Sequence, residues 1–360
     1  MSSHDKKKWL AAFSALVVLG SGGVALAQED SAPAAEQPAA AAPAAPAEAP
    51  KPIVKPRPSE MMPLAARAMM LDVVNTGDHL LAVGEHGIIV VSNNGRQWAQ
   101  VQTPIRSPLT AASFANNMDG WVVGHDATIL HTVDGGKTWE LQNFKPDLEK
   151  PYLDVLALDA NNAVAVGAYG LISRTSDAGK TWSNIDAPTI REGELHFNCL
   201  TKLSDGSLLV VGEQGTMGLS TDAGVTWKKL TSPYDGSYFG AVPYGPKGAL
   251  VYGLRGNIYE SHDLASGKWD KIDPGTVATF YGGNVMPNGD LVMVGSNGEI
   301  KLISATTNAV STQKVTHIVV DANGTEKNDV VTSTLTAAVP FGDGLVLVGE
   351  QGIQQLAKLQ

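Results

Sequence analysis

The sequence predicts an all-β protein, a seven-bladed β-propeller built from four-stranded antiparallel blades. Three observations predict it. The stretch 121–139 (WVVGHDATILHTVDGGKTW) holds two strand-like runs, 121–124 and 129–132, joined by a short turn at 125–127. A polar turn at 134–137 and an aromatic at Trp139 follow. The same unit recurs at 80–98, 163–182 and 208–227, with weaker copies at 250–269, 291–304 and 345–359. The marker glycines Gly84, Gly124, Gly167, Gly212, Gly253, Gly295 and Gly349 are 40, 43, 45, 41, 42 and 54 residues apart. A four-stranded propeller blade needs about 40–45 residues, so seven copies read as seven blades. Five of the seven tryptophans (Trp98, Trp139, Trp182, Trp227 and Trp269) fall at one repeat position.

Each blade is expected to run from an inner strand outward, on alternation and β-branched content. Inner strands are expected at 69–74, 110–114, 152–158, 196–202, 238–242, 279–285 and 334–339. In the second blade the outermost strand is expected at 139–141. The long gap 305–331 before blade seven contains Ile318, Val319 and Val320, which are expected to supply the fourth strand of blade six. The polar run after them, 321–329, is expected to be a loop. Blade seven ends with the chain after one strand beyond Gly352, leaving a fourth strand to be found. Residues 52–57 (PIVKPR) are the expected closing strand and 61–66 the alternative, because prolines suit only an edge.

Three regions precede or make up this ring. Residues 1–27 have a lysine-rich start (Lys6, Lys7, Lys8), an apolar run at 10–19 and Ala25-Leu26-Ala27, the pattern of a secretory signal peptide. An uncleaved N-terminal anchor is the second reading, and the periplasm is the expected compartment. Residues 28–58 are rich in Ala, Pro and Glu and read as a disordered tether. Residues 59–360 form the propeller, expected to be monomeric. Cleavage would remove three Lys and one Asp, taking the net charge from −10 to −12. So acidic a surface excludes nucleic acid as a partner, which needs basic groups to displace counterions.

The motif Ser/Thr-x-Asp-x-Gly-x-Thr-Trp is complete at Thr132/Asp134/Gly136/Thr138/Trp139, Thr175/Asp177/Gly179/Thr181/Trp182 and Ser220/Asp222/Gly224/Thr226/Trp227. Blade one departs, with Asn93 for Asp and Gln97 for Thr, and blade five stretches the turn. This element resembles the Asp-box, or bacterial neuraminidase repeat. Combined with the V-G-x-x-G-x-[IL] run before it, over residues 60–360, it resembles the photosystem II stability and assembly factors and their relatives in non-photosynthetic bacteria. The resemblance implies a non-enzymatic assembly or accessory factor for a membrane-protein complex. It also implies, for bacterial relatives, an envelope transporter of the resistance-nodulation-division type as a partner. The family's role is associated with an arginine-rich patch, whereas this chain carries seven scattered Arg.

Two other function classes use the same fold. Asp-boxes also occur in sialidases, which need clustered arginines and a Tyr/Glu pair or two carboxylates at a fixed separation. No Arg-Ile-Pro motif precedes blade one, and the acids Glu85, Asp126, Glu213 and Glu350 stand singly on hairpin tips, so no catalytic residue is assigned. A carbohydrate- or lipid-binding propeller is the remaining alternative. No cofactor is expected. His86 and His125 fall near equivalent turns but lack a local ligand spacing, so no metal site is assigned. Cys199, the single cysteine, reads as a small core residue on an inner strand.

The expected working face is formed by the turns between second and third strands. Their tips are His86, His125, Asp126, Tyr169, Gln214, Arg255, Asn297 and Gln351, which vary while the flanking glycines repeat. Tyr152, Tyr234 and Tyr238 are expected to extend that face.

Overall fold

The computed structural model describes residues 54–320 and 326–359. Residues 1–53, on which the expected signal peptide and nearly all of the expected tether fall, lie outside them. Six antiparallel sheets of four strands each, one sheet of three and a separate two-stranded hairpin make up the described chain. No described helix is long and apolar enough to cross a membrane.

Strands are counted here from the axis outward. Blade two illustrates the plan, with strands Leu109–Phe114, Gly120–Gly124, Ile129–Thr132 and Glu140–Asn143. The first strands of the other blades are Met70–Asn75, Tyr152–Ala157, Phe197–Lys202, Tyr238–Tyr244, Phe280–Val285 and Leu335–Phe341, all within a few residues of the expected positions. Second strands such as Leu80–Gly84 and Leu208–Gly212 are buried on both faces because each blade is sandwiched between two others. Their Leu/Val runs follow from that position. Fourth strands shrink to two residues in blades three (Ser183–Asn184) and four (Lys228–Lys229), where the rim meets water.

Every first strand carries a register shift near its start, such as that between Met70 and Asp72. The first marker glycine explains it. A Cβ on Gly84, Gly167 or Gly212 would fall well inside contact distance of the carbonyl oxygen of Met69, Pro151 or His196, at the head of the same blade's first strand. Only a glycine lets the two strands approach so closely, and the bulge re-aims the chain past it.

Neighbouring first strands are joined directly around the axis by side chains bonded to the next blade's backbone. Asp72 Oδ2 accepts from Ala112 N at 2.9 Å, Thr110 Oγ1 donates to Tyr152 O at 2.9 Å, and Asp154 Oδ2 accepts from Leu200 N at 2.7 Å. Asn198 Nδ2 donates to Tyr238 O at 2.7 Å, Asn284 Nδ2 to Ala338 O at 3.3 Å, and Thr336 Oγ1 to Met70 O at 2.9 Å. Between blades five and six the rings of Phe239 and Tyr281 meet at 5.1 Å. Cys199 sits among these groups beside Asp154, where burial raises its thiol pKa.

Asp72 and Asp154 keep some accessible surface but lie at the centre of the ring, crowded from all sides. Burial pushes their carboxyls up to about 6 and about 7, against the bonds each accepts from backbone N–H groups. Their mutual repulsion pushes Asp154 the same way. A folded-state pKa above the unfolded value means that protons stabilise the fold. Their contribution is fully present below the unfolded pKa of about 4 and is lost as pH rises through 6 and 7. We expect the melting temperature to fall on going from pH 5 to pH 8. The Asp72→Asn/Asp154→Asn double variant, still able to accept both backbone bonds, should flatten that profile and gain roughly 5 °C at pH 8. A profile unchanged by the double substitution would show that other groups set it.

Two expectations fail in the last third of the chain. Ile318, Val319 and Val320 do not complete blade six; its fourth strand is Val310–Gln313. Thr316–Val320 instead pairs with Glu326–Val330 in the separate hairpin, so the polar run is partly strand, while residues 321–325 lie outside the described part. The β-branched run does form a strand, but with a different partner, because a hairpin and a fourth strand demand the same residue types.

Ring closure also differs. Among the described residues blade seven has Leu335–Phe341, Gly344–Gly349 and Gly352–Leu356 and no fourth strand. Residues 54–57 form no strand, Pro52 and Ile53 lie outside the described residues, and residues 61–66 are a turn leading into the short 3₁₀ helix Ala65–Arg67. The segment before that helix is held by blade one instead. Ser59 exchanges bonds with Thr103, and Met62 N donates to Gln100 Oε1 at 2.7 Å. Closure rests on the packing of blade one against blade seven, through Met70, Val73, Val346 and Val348.

Candidate functional site

The turns between second and third strands share one construction. In blades one, three, four, five and six the middle residue of the turn adopts a left-handed conformation: His86 (φ 58°), Tyr169 (57°), Gln214 (50°), Arg255 (57°) and Asn297 (60°). The second glycine of the turn, also left-handed, lies against the connection that leaves the blade. A Cβ there would strike Ile105 O from Gly87, Tyr234 O from Gly215 and Thr276 O from Gly256. Glycine on both sides thus fixes the turn and leaves the middle side chain projecting.

Blade two keeps the shape with different residues. Asp126 (φ 58°) occupies the tip and Ala127 (φ 50°) replaces the second glycine. His86 is therefore equivalent to Asp126, and His125 to Glu85. Asp126 accepts a bond from the Ser107 hydroxyl. Burial lowers the pKa of His125, opposed by the charge of Asp126. Gln351 stands apart, because blade seven turns through two residues with Gly349 paired directly to Gly352.

Three of the four tip acids hold a backbone donor that spacing does not reveal. Glu85 accepts from Met69 N at 3.3 Å, Glu213 from His196 N at 2.9 Å and Glu350 from Thr334 N at 3.1 Å. In blade six Ser296 does the same for Thr279 N at 3.0 Å. Each polar side chain satisfies the backbone donor at the head of its own first strand. The recurring Gly-Glu-x-Gly is a clamp, and it leaves the middle residue as the variable one.

The projecting residues are joined by others from the inter-blade connections. Tyr169, 38% exposed, packs edge-on against His196 with ring centroids 4.9 Å apart, and Lys150 Nζ lies 5.6 Å from its ring centre. Beside Gln214 a cleft of about 670 Å³ opens along the outer edge of blade four, between its connections to blades three and five, lined by Glu192, Lys229, Ser232, Tyr234 and Asp235 among others. Tyr234 stacks near Tyr259 at 6.2 Å. Tyr152 and Tyr238, expected on this face, are core residues instead: both are buried, with hydroxyls bonded to Ser173 and Ser232. Their aromatic bodies fill the gap between blades, which sequence alone cannot distinguish from an interface. Among the described residues no group of three or more His, Cys, Asp or Glu could hold a metal ion.

The Asp-boxes lie on the opposite face, beside the turns between first and second strands, as Gly135 N to Met118 O shows. Asp134 accepts from Thr138 N (2.9 Å), Thr138 Oγ1 (2.6 Å) and Thr132 Oγ1 (2.8 Å). Asp177 and Asp222 repeat the pattern. In blade one the equivalent is Asn94, not Asn93: it accepts from Arg96 N and Gln97 N, because this box is one residue shorter.

Comparison with known proteins agrees with this architecture. Residues 90–354 match the family model described as photosynthesis system II assembly factor YCF48. A photosystem II assembly lipoprotein Ycf48 from Synechococcus sp. (strain CC9902) is 26% identical over 36% of this chain and 41% of its own length. The chloroplastic photosystem II stability/assembly factor HCF136 of Oryza sativa subsp. japonica is 26% identical over 34% of this chain and 32% of its own. The aligned part thus spans less than half the length of these curated relatives. A solved structure of YCF48 bound to D1 peptide superposes with a TM-score of 0.60 at 21% identity, covering 84% of this chain and 97% of that one. The WD40 propeller domain of Doa1 superposes with a TM-score of 0.62 at 12% identity, covering 80% and 92%, so the shape itself is shared widely. The family-model match over most of the ring, together with the repeated glycine clamp and Asp-box, places this chain in the YCF48 photosystem II assembly factor family.

Proposed function

We propose that this chain is a non-enzymatic scaffold that assists the assembly of a membrane-protein complex from the periplasm, binding its partner through the face of second-to-third-strand turns. The observation that carries the reading is the contrast on that face. The left-handed turn repeats in blades one to six, while the residue at its tip is His86, Asp126, Tyr169, Gln214, Arg255 or Asn297. A fixed frame presenting different chemistry at each position suits recognition of one extended, irregular surface. The relative solved with a D1 peptide supports a membrane-protein segment as the type of partner. A secretory leader and an Ala/Pro-rich tether would deliver the ring to the outer surface of the inner membrane, where an envelope transporter subunit is a partner of the required kind.

The test is capture from crosslinked envelope fractions with the full chain. The Arg255→Glu/Tyr169→Ala double variant should lose at least about tenfold in capture, the equivalent of 1.4 kcal/mol. Its melting temperature should stay within a few degrees of the parent, because both side chains project from the surface. Undiminished capture by the folded double variant would remove this face from the proposal.

A further inference from the structure

The outer edge of blade seven carries no fourth strand among the described residues. In blades three, five and six, one third-strand residue engages the residue directly across from it on the fourth strand. Ser173 Oγ donates to Asn184 Oδ1 at 2.9 Å, Lys301 Nζ donates to Thr312 Oγ1 at 2.8 Å, and Lys271 lies over the ring of Tyr259 at 5.8 Å. The tighter turn of blade seven shifts its third strand by one residue, so that Ile353 pairs with Val348 as Ile89 pairs with Val83. That slip moves alternate side chains to the opposite face. It places Gln354, rather than Gln355, at the position of Ser173, Tyr259 and Lys301. Gln354 is 8% exposed, and neither its Oε1 nor its Nε2 has a hydrogen-bond partner among the described residues. A buried amide left without both partners costs free energy that a polar side chain on a fourth strand would recover.

The connection for such a strand is present. Gly352 packs against Ala66 O, as Gly215 packs against Tyr234 O, so the chain entering blade one occupies the place of a blade-seven exit loop. The upstream chain, however, departs along blade one through Ser59 and Thr103. Residues 28–52 contain no Val, Ile or Thr and carry a proline every few positions, a composition that disfavours a ladder-forming strand.

We propose that Gly352–Leu356 takes up an extended segment of the partner polypeptide as the fourth strand of blade seven, with a Ser, Thr or Asn facing Gln354. Main-chain bonds give such a segment affinity, and the Gln354 amide gives it preference. The inference rests on the assembly-scaffold reading, because it requires a partner polypeptide.

The first arm uses a defined probe: a synthetic peptide of residues 307–315 (TNAVSTQKV), which copies the outer strand of blade six. At millimolar concentration it should slow amide exchange at residues 352–356 of the full chain. The same peptide carrying Thr312→Pro should not. The Gln354→Leu variant should melt higher than the parent yet bind the peptide about tenfold more weakly, a combination that a purely structural role does not produce. The second arm places a photoreactive benzophenone amino acid at position 355 of the full chain in cells. The crosslinked product should join it to an extended segment of another envelope protein. No protection by the peptide, or a crosslink to residues 28–53 or to a second copy, would overturn the proposal. Capture that depends on Tyr169 and Arg255 while the edge stays unprotected would sink this inference and leave the scaffold reading intact.

Discussion

Replacing Trp139 by alanine is expected to cost about 3–5 kcal/mol, the usual range for deleting a large buried aromatic. Trp139 is 8% exposed, and its indole N–H donates to Gly136 O at 3.1 Å. Its ring meets Phe114 edge-on at 6.3 Å and packs in a cluster with Leu81 and Val83 of blade one and Leu130 of blade two. The void would therefore open between two blades, and neither blade can close it without moving a whole sheet. Asp134→Ala should cost less, about 1–2 kcal/mol, because part of the donor set freed at Thr138 and Thr132 can turn to water. Urea unfolding of the two variants measures the difference. Equal effects would mean that the box is held by its carboxylate rather than by the indole. Partner capture by the folded fraction of each should match the parent, since the boxes lie on the face opposite the variable turns.

Gly167→Ala is expected to cost about 3 kcal/mol or to abolish folding. The added methyl would be forced into Pro151 O and the Cα of Tyr152 at the head of the same blade's first strand. Backbone cannot yield as a flexible side-chain tip would, and overpacking of this kind costs 1–3 kcal/mol or more. Gly206→Ala is the contrast. It has φ near +87° and nothing within 4 Å of the added atom, so only backbone strain of about 1 kcal/mol applies. Melting temperatures of the two variants decide the matter: a Gly167→Ala protein as stable as Gly206→Ala would refute the close-approach explanation of the marker glycines.

Those glycines also show how much was legible beforehand. Their spacing gave the blade number, and the runs before them gave the second strands, because a position buried on both faces tolerates only apolar residues. The residues expected at the tips do lie on turns between second and third strands, because the same runs flank them. What could not be read was whatever depends on a partner distant in sequence. The clamps from Glu85, Glu213 and Glu350 bond to residues 16 or 17 positions earlier, and nothing in a lone acid between glycines announces that. Tyr152 and Tyr238 looked like interface residues because an amphipathic ring serves a core and a surface equally well. The slip that turns Gln354 inward is hidden by a sequence, Gly-Glu-Gln-Gly-Ile, that resembles blade one's Gly-Glu-His-Gly-Ile.

The seam of this ring bears on its ancestry. Where both chain ends contribute strands to one composite blade, a duplication that adds a repeat at either end must break that blade. Among the described residues blade one begins with its own inner strand and blade seven ends with its own third strand, so the seam falls between repeats and no described sheet is shared. A unit of 40–45 residues can then be gained or lost at the termini without unmaking an existing sheet. The gradient of Asp-box quality, complete in blades two to four and absent from six and seven, fits a ring that grew by such additions and then diverged most near its open end.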